Sequence, residues 1–385
     1  MKEKLKEQKG ITLIALIITI IVMLILAGVS INIIQNQGLI TKSKDAADRY
    51  NEKAGEEQAN LTEWERLMAE YSGSSEEAYV TPRTEVEYKG QTLKVGDYVN
   101  YDEGTGYTWT TDSTKGTGGD GNLTSKTYTT EDMSWRVLGL DENGNLELIS
   151  DKQTSEYLYL KGKAGYYNGE EQLKEMCDAL YGKGTKALSA RSVTDDDINA
   201  ILGYNKKGFS GEAIGCQELL KIRYGWKTTY YATKTTWEPK DTFIMEDGSN
   251  EYIRTGCYNG RFTDIDGTVA TNENPITIES SAYTYTRDEF TERVNSDILN
   301  MVFDLENLGC HGAGSQFWLA SRFVYGDYGG ADWGLFNISD GILNGYDLYD
   351  SDGNESSSSY YVRPVVSLKS DVQLSGSSEA GWTIN

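Results

Sequence analysis

Histidine is almost absent from this chain, since His311 is the only one in 385 residues. It follows Cys310 in a glycine-rich stretch, CHGAG, where a lone histidine is more often part of a turn than a catalytic base. The sequence also has no G-x-S-x-G, H-E-x-x-H or phosphate-binding glycine loop. These absences remove the usual signatures of hydrolases, zinc proteases and nucleotide-binding enzymes. We therefore expect no catalytic activity, no cofactor and no metal site.

Cysteine is scarce and widely spaced. The four cysteines have no metal-ligand spacing, and they are Cys177, Cys216, Cys257 and Cys310. In an exported protein they could pair in any of three connectivities. Isolated buried thiols are the alternative, and the spacing does not choose between the two. The acidic turns at Asp264–Gly267 and Asp350–Glu355 resemble calcium loops, but neither completes the twelve-residue pattern with its terminal Glu.

Positive charge is also in short supply. Lys and Arg number 36 against 59 Asp and Glu, which gives a formal net charge of −23 at pH 7. Such a surface repels nucleic acid backbones and anionic lipid head groups. Nucleic acid is therefore not an expected partner, whereas an acidic exterior suits an exported domain.

A long apolar run near the amino terminus is the most informative feature that is present. Ile11 to Ile34 is almost wholly aliphatic and follows a short basic leader. As a helix it would span roughly 36 Å, enough to cross the ~30 Å hydrocarbon layer. A signal peptide is shorter and carries a cleavage site, which is missing here. A signal anchor fits the length, with the leader lysines on the cytoplasmic side.

The junction Lys9-Gly10-Ile11 favours a third interpretation. A Gly directly before an aliphatic helix, after a short basic leader, resembles the cleavage site of type IV pilins and pseudopilins. The resemblance implies cleavage after Gly10 by a prepilin peptidase, N-methylation of Ile11 and packing against other pilin subunits. It also implies a single-pass membrane location before assembly and a cell-surface location afterwards. Family members usually carry Glu at the fifth mature position, and Ala15 in its place favours a minor or tip subunit.

The helical pattern continues beyond the membrane run, with apolar residues on a heptad frame as far as Tyr71. A Ser-, Gly- and Pro-containing stretch then breaks the periodicity. The sequence is therefore divided into a leader (1–10), a helix (11–71, with a membrane segment at 11–34), a linker (72–84), a head (85–374) and a tail (375–385).

In the head, short runs of alternating apolar and polar residues between turn residues predict short strands, together with three helices. Trp135–Leu140 and Leu146–Ser150 are predicted to form a hairpin around an Asp-Glu-Asn-Gly turn. The helices are predicted near 169–181, after the cap Thr194, and over about 287–305.

Two motifs frame the last part of the head, FWLASR at Phe317–Arg322 and YVRPVVSL at Tyr361–Leu368. They resemble the C-type-lectin-like fold of formylglycine-generating-enzyme relatives and of variable proteins from diversity-generating retroelements. The resemblance implies a buried scaffold that displays the segment between the motifs. The expected fold class is therefore α+β, a long hydrophobic pilin-type helix followed by a β-rich lectin-like head. Formylglycine-type catalysis needs a cysteine pair, but Cys310 is the only cysteine in this region.

The framed segment, 323–361, has an unusual composition. Gly, Asp, Tyr, Ser and Asn supply 28 of its 39 residues, and Lys, Gln and Met are missing. Adenine-targeted mutagenesis of Asn codons yields this alphabet, and paratopes use it for rigid contact area and adaptable polar contacts. A turn-rich surface without a ligand is the alternative. The candidate ligand contacts are Tyr325, Asp327, Tyr328, Asp332, Asn337, Ser339, Asn344, Tyr346, Asp347, Tyr349, Asp350 and Asp352.

The sequence thus predicts a pilin-like surface protein whose head binds an extracellular protein or glycan ligand through 323–361. The rival hypothesis is a structural minor pilin or pseudopilin without a ligand of its own. Pairing of Trp333–Ile338 with Ile342–Tyr349 across Asp340–Gly341 would point alternate side chains into the core and outward.

Overall fold

The computed structural model describes Met23 and the ranges 79–207, 224–238, 254–256, 262–303, 315–327 and 329–385. By its internal contacts the chain divides into Met1–Ser74 and Ser75–Asn385, and only the second unit is described below. Apart from Met23, the predicted leader, the cleavage site at Gly10 and Ile11 and the heptad helix lie outside the described residues.

The described part of the chain is mostly β, with 42% strand and 17% helix, which corrects the predicted α+β class. Its helices are α1 (Gly162–Tyr181), α2 (Asp195–Leu202) and α3 (Ser296–Phe303). None of these described helices is long and apolar enough to cross a membrane, contrary to the predicted long apolar helix and single-pass location. The longest, α1, is amphipathic and carries charged residues such as Glu171 and Lys174.

The largest sheet has seven strands. In spatial order they are β10 (Ala187–Ser192), β20 (Pro364–Leu368), β8 (Leu146–Ser150), β7 (Trp135–Leu140), β3 (Tyr98–Asn100), β22 (Gly381–Ile384) and β21 (Leu374–Ser377). Strands β7 and β8 form the hairpin predicted around Asp141–Gly144, and the register confirms it. The Asp141 side chain accepts bonds from the backbone N–H groups of Asn143 and Asn145, which closes the turn.

One face of this sheet packs against α1. The apolar stripe of α1, including Leu173, Met176 and Leu180, meets Trp135 and Val366 in the main hydrophobic core. Each such fully buried side chain contributes roughly 1.5–3 kcal/mol relative to exposure. Helix α1 therefore owes its position to burial rather than to helix propensity.

The second sheet carries most of the segment 323–361. It has four strands in the order β15 (Tyr285–Thr286), β18 (Ile342–Asp350), β17 (Gly330–Ser339) and β16 (Gln316–Asp327). The predicted pairing of β17 with β18 across Asp340–Gly341 is confirmed by the register. Asp340 and Gly341 have φ of 51° and 78°, the left-handed pair that a two-residue hairpin turn requires.

Four smaller sheets complete the described structure. They are β1 (Glu85–Tyr88) with β2 (Gln91–Lys94); β4 (Thr108–Thr110) with β6 (Thr127–Thr129); β19 (Ser357–Tyr360), β9 (Leu158–Lys161) and β5 (Thr117–Gly118); and β13 (Arg254–Gly256), β12 (Thr235–Glu238), β11 (Lys227–Tyr230) and β14 (Ile276–Glu279).

The two framing motifs are part of the scaffold. Trp318 is fully buried, and its indole N–H donates to the carbonyl of Leu158 at 3.0 Å. Arg363 is also fully buried, and its guanidinium donates to the carbonyls of Ser150 and Met301. Arg322 is the exception in these motifs, because its side chain is exposed.

Several predicted boundaries differ from the observed ones. Helix α1 begins at Gly162 rather than near 169, and the predicted helix 287–305 is a 3-10 turn at Arg287–Phe290 followed by α3. The predicted tail instead forms β22, whose Trp382 is buried and donates to the carboxylate of Asp97 at 2.9 Å. Part of the predicted linker also packs on the domain, since Arg83 N–H donates to the carbonyl of Ala200.

Candidate ligand-binding surface

The framework of the candidate surface is the antiparallel sheet β16–β17–β18. The ring of Phe323 lies across Gly334 and Gly345 on the two neighbouring strands. A Cβ atom added at Gly334 would overlap the backbone carbonyl oxygen of Tyr346 and stand 2.7 Å from this ring, and one added at Gly345 would overlap the ring, so both glycines are required for packing. Phe323 itself is buried against Phe336 in a second hydrophobic core. The sheet is therefore fixed by its own core and does not behave as a free loop.

A bulge in β18 decides which side chains share a face. Trp333 pairs with Tyr349 and Gly334 pairs with Asp347, so Leu348 is the extra residue. Because of this extra residue, Asp347 and Asp350 lie on one face of the sheet. Tyr346 and Tyr349 lie on the other, against buried aromatic and aliphatic residues.

The first of these faces ends in a row of acidic residues. Asp332 on β17 pairs with Tyr325 on β16 and with Asp350 on β18, so the three side chains are direct neighbours. Asp347 belongs to the same face. We call Asp327, Asp332, Asp347, Asp350 and Asp352 the aspartate cluster.

Burial and neighbouring carboxylates change the pKa of two members of the aspartate cluster, Asp332 and Asp347. Burial, followed by the charges of Asp347, Asp327, Asp350 and Asp352, raises the pKa of Asp332 to about 7. Asp347 is exposed by surface area, yet protein atoms crowd its carboxylate; this desolvation and the charge of Asp350 raise its pKa to about 6. The charges that act most strongly on Asp332 are thus other carboxylates, and a cation at this position would be stabilised.

The turn that resembles a calcium loop is held by its own hydrogen bonds. The Asp350 carboxylate accepts from the backbone N–H groups of Asp352 and Asn354, both at 2.9 Å, and from the Asn354 amide. Similarly, Asp266 accepts from Thr268 N–H at 2.7 Å. Within the described ranges, no group of three or more potential ligands could hold a metal ion.

The other predicted contacts are divided between surface and core. Asn344 and Asp352 are exposed, whereas Asn337 is only 2% exposed and is not accessible to a ligand. The half-buried ones are Tyr325, Asp327, Asp332, Ser339, Tyr346, Tyr349 and Asp350. Tyr328 lies outside the described residues.

The tyrosines of the tract contribute to packing as well as to the surface. Tyr346 meets the ring of Tyr360 edge-on at 6.3 Å, and Tyr349 packs on Trp333 at 6.0 Å. Tyr325 packs against the second core. Each of the three tyrosines is half-buried, so part of its surface stays accessible to a partner while the rest packs against the domain.

The structure also brings residues to this region that the sequence analysis did not select. Tyr166 and Tyr349 both pack against a third hydrophobic core, and the exposed Tyr167 follows Tyr166 in α1. Burial, and then the charges of Asp264 and Asp266, raises the pKa of Tyr167. The adjacent tyrosines at 166 and 167 are visible in the sequence, but the predicted helix began near residue 169 and therefore did not include them.

Cys177 is a fully buried free thiol on α1, and burial raises its pKa. The other three cysteines and His311 lie outside the described residues. Each of the three predicted connectivities of the four cysteines includes Cys177, which is free, and any pairing among Cys216, Cys257 and Cys310 lies outside the described residues.

No family model matches the chain, and no curated protein or solved structure matches it at a significant level. The predicted resemblances to pilins and to lectin-like variable proteins gain no support from these comparisons. The function therefore has to be argued from the surface itself.

Proposed function

We propose that this domain is a non-catalytic binding module whose ligand is a protein segment rich in Lys and Arg. The observation that carries the proposal is the aspartate cluster at the end of the sheet β16–β17–β18. Its carboxylates repel one another, and Asp347 and Asp352 are exposed to an approaching partner. Cationic side chains placed among them would relieve this repulsion.

Charge complementarity of this kind supports specificity and fast association more than raw affinity. A single exposed ion pair is worth roughly 0.2–1 kcal/mol, so several must act together. An ion pair with the half-buried Asp332 would contribute more binding free energy than one with an exposed carboxylate, because the environment of Asp332 is less well hydrated than bulk water. The net charge of −23 further steers basic partners toward the molecule.

The framework supports the same proposal. The cluster is carried by paired strands whose positions are set by Phe323 and the bulge at Leu348. Tyr325 stands beside Asp332 and adds rigid amphipathic contact area at low entropy cost. A partner would thus meet a preorganised surface, which lowers the entropic cost of binding.

The test uses hexalysine and hexaarginine peptides as probes, titrated calorimetrically near physiological salt. We expect the double variant Asp332→Asn/Asp347→Asn to lose about tenfold or more in affinity, equivalent to about 1.4 kcal/mol. We also expect wild-type affinity to fall as pH drops through about 7 and then about 6, because protonation removes the negative charge first from Asp332 and then from Asp347.

The matched control is Asp132→Asn/Asp371→Asn, which removes the same charge from two exposed aspartates elsewhere. We expect it to keep wild-type affinity within about twofold. Equal losses in the two double variants would mean that only net charge matters, which overturns the proposal. An absence of binding by the wild type would favour the rival hypothesis, a structural subunit without its own ligand.

A further inference from the structure

A separate cleft of about 320 Å³ lies where the start of α2 meets β16. Its size is at the lower end of the range of roughly 300–1,000 Å³ that is typical of small-molecule sites. The charged side chains that line it are Glu170, Asp195, Asp196, Lys206 and Arg322. The cleft shares no residue with the aspartate cluster, so the two sites can bind different ligands.

The cations of the cleft are held against carboxylates. The ammonium of Lys206 lies 2.9 Å from Asp195 and 2.8 Å from Asp196, and Arg322 Nε lies 3.1 Å from Glu170. An anion would meet the excess of carboxylates, and a cation would have to compete with Lys206 and Arg322, which already occupy these carboxylates. The electrostatics therefore favour a ligand without net charge.

A buried hydrogen-bond chain fixes the floor of the cleft. Tyr285 donates to the Asn199 amide oxygen, the Asn199 amide donates to Tyr283, and Tyr283 donates to Asp195 at 2.6 Å. Asp195 is 4% exposed and Asn199 is 5% exposed. Such a network costs desolvation free energy, which it recovers only when every member is bonded. Because this network lies beneath the cleft, it holds the polar groups of the cleft in place before a ligand binds.

The chain also keeps Asp195 charged. Burial alone would raise the pKa of Asp195, but Lys206 and the hydroxyl of Tyr283 lower it below its usual value. The buried carboxylate of Asp195, a hydrogen-bond acceptor, thus lies next to the ammonium of Lys206, a donor, at the cleft. Vicinal hydroxyl groups match this arrangement, because each can donate to a carboxylate and accept from an ammonium.

An aromatic wall and two serines complete the site. Tyr224 is half-buried at the cleft, and its ring meets Tyr283 edge-on at 6.3 Å. Ser281 and Ser321 also line the cleft. From the paired charges, the buried floor and the aromatic wall, we infer that the cleft binds a neutral saccharide ring. Its hydroxyls bond to Asp195, Asp196 and Lys206, and an apolar face of the ring packs on Tyr224.

The experiment titrates the intact protein with D-glucose, D-galactose and D-mannose, and with D-glucuronate as the anionic counterpart. Binding is followed by ligand-detected NMR at millimolar concentrations. We expect at least one neutral sugar to bind with a dissociation constant of about 1–10 mM, and glucuronate to bind about tenfold more weakly than its best neutral relative.

Two variants address the site. Tyr224→Ala and Asp196→Asn should each weaken neutral-sugar binding by about fivefold or more. Asp196 is 76% exposed at its side chain, so its substitution leaves the buried Asp195–Lys206 pair in place and should not prevent folding. The matched control is Asp297→Asn, which changes the equivalent first-turn aspartate of α3 and should leave binding unchanged.

Absence of binding by all three neutral sugars would overturn the inference. So would unchanged affinity in both cleft variants, tighter binding of glucuronate than of the neutral sugars, or an equal loss in Asp297→Asn. Because the peptide probes of the aspartate cluster are not used here, failure of this site is distinguishable from failure of the proposed function.

Discussion

Gly334 and Gly345 belong to the same compositional signature as the surface tyrosines and aspartates, yet they serve the core. Both lie under the ring of Phe323, where no side chain fits. Composition does not separate the two roles, because a paratope and a tightly packed hairpin both use glycine. At the residue scale, the tract is therefore part scaffold and part surface.

Substitution of one of these glycines tests the packing role. Gly334→Ala should lower the free energy of unfolding by about 1–3 kcal/mol, because the new Cβ would overlap the backbone carbonyl oxygen of Tyr346 and crowd the Phe323 ring. Urea denaturation measures the change. Gly121→Ala is the control, since its Cβ would lie 3.3 Å from Ser357 Oγ, a movable atom. Similar losses in both variants would contradict the packing role of Gly334.

Asp332 makes stability depend on pH. Its pKa is about 7 in the folded chain against an ordinary value of 3.8, so the folded state holds the proton more tightly. The resulting stabilisation is fully present below about pH 4 and is lost as pH rises through about 7. We expect Asp332→Asn to flatten this part of the stability profile and to stabilise the protein at about pH 8, on the order of 1–2 kcal/mol.

Thermal or urea unfolding between about pH 5 and pH 8 measures this effect. Asp371→Asn removes an exposed carboxylate outside the aspartate cluster and should leave the profile as in the wild type. If Asp332→Asn kept the full wild-type dependence of stability on pH, the raised pKa of Asp332 would be disproved.

At the scale of elements, residues a few positions apart were sufficient to predict the features that depend on a single turn of the chain. The Asp340–Gly341 turn and the start of α2 at Thr194 are both visible in the sequence and both occur in the structure. Thr194 accepts a bond from Asp197 N–H, and Asp197 in turn accepts from Thr194 N–H, which is a capping box.

Removal of this cap should weaken the element. We expect Thr194→Ala to lower the free energy of unfolding by about 1 kcal/mol, because the N–H of Asp197 loses its partner. Thr194→Ser keeps the hydroxyl and should stay within a few tenths of the wild type. Chemical denaturation of both variants provides the measurement, and equal stability of the two would argue against the cap.

Bulges were the main element-scale feature that the sequence did not reveal. Alternation predicts that Asp347 and Tyr349 share a face, but the extra Leu348 places them on opposite faces. A second register shift separates Trp318 from Arg322 in β16. Bulges depend on the pairing partner as well as on the bulged strand, so one strand's pattern does not locate them.

At the scale of the whole domain, the carboxyl-terminal residues close the largest sheet. Strand β22 runs parallel to β3, and Trp382 is 7% exposed in the main core. The sequence analysis predicted a tail at 375–385, although GWTIN holds two large apolar residues, Trp382 and Ile384. It is a strand because it pairs on one side with β21 and on the other with Tyr98–Asn100, about 280 residues earlier.

Loss of this closing contact should destabilise the entire domain. Trp382→Ala should lower the free energy of unfolding by about 3–5 kcal/mol, because it removes a buried ring and leaves a cavity. Glu379→Ala, at an exposed position in the same hairpin, should change stability by less than about 0.5 kcal/mol. A Trp382→Ala variant as stable as Glu379→Ala would show that 375–385 is dispensable to the fold.

The sequence by itself determined the local features of the domain: its turns, the cap of α2, the acidic charge and the tyrosine- and aspartate-rich tract. These depend on residues a few positions apart. Tertiary structure alone decided the mostly β class, the partner of β22, the faces of β18 and the cleft between α2 and β16. Those features need contacts between residues far apart in the chain, and their free energy comes from burial and pairing that no local pattern encodes.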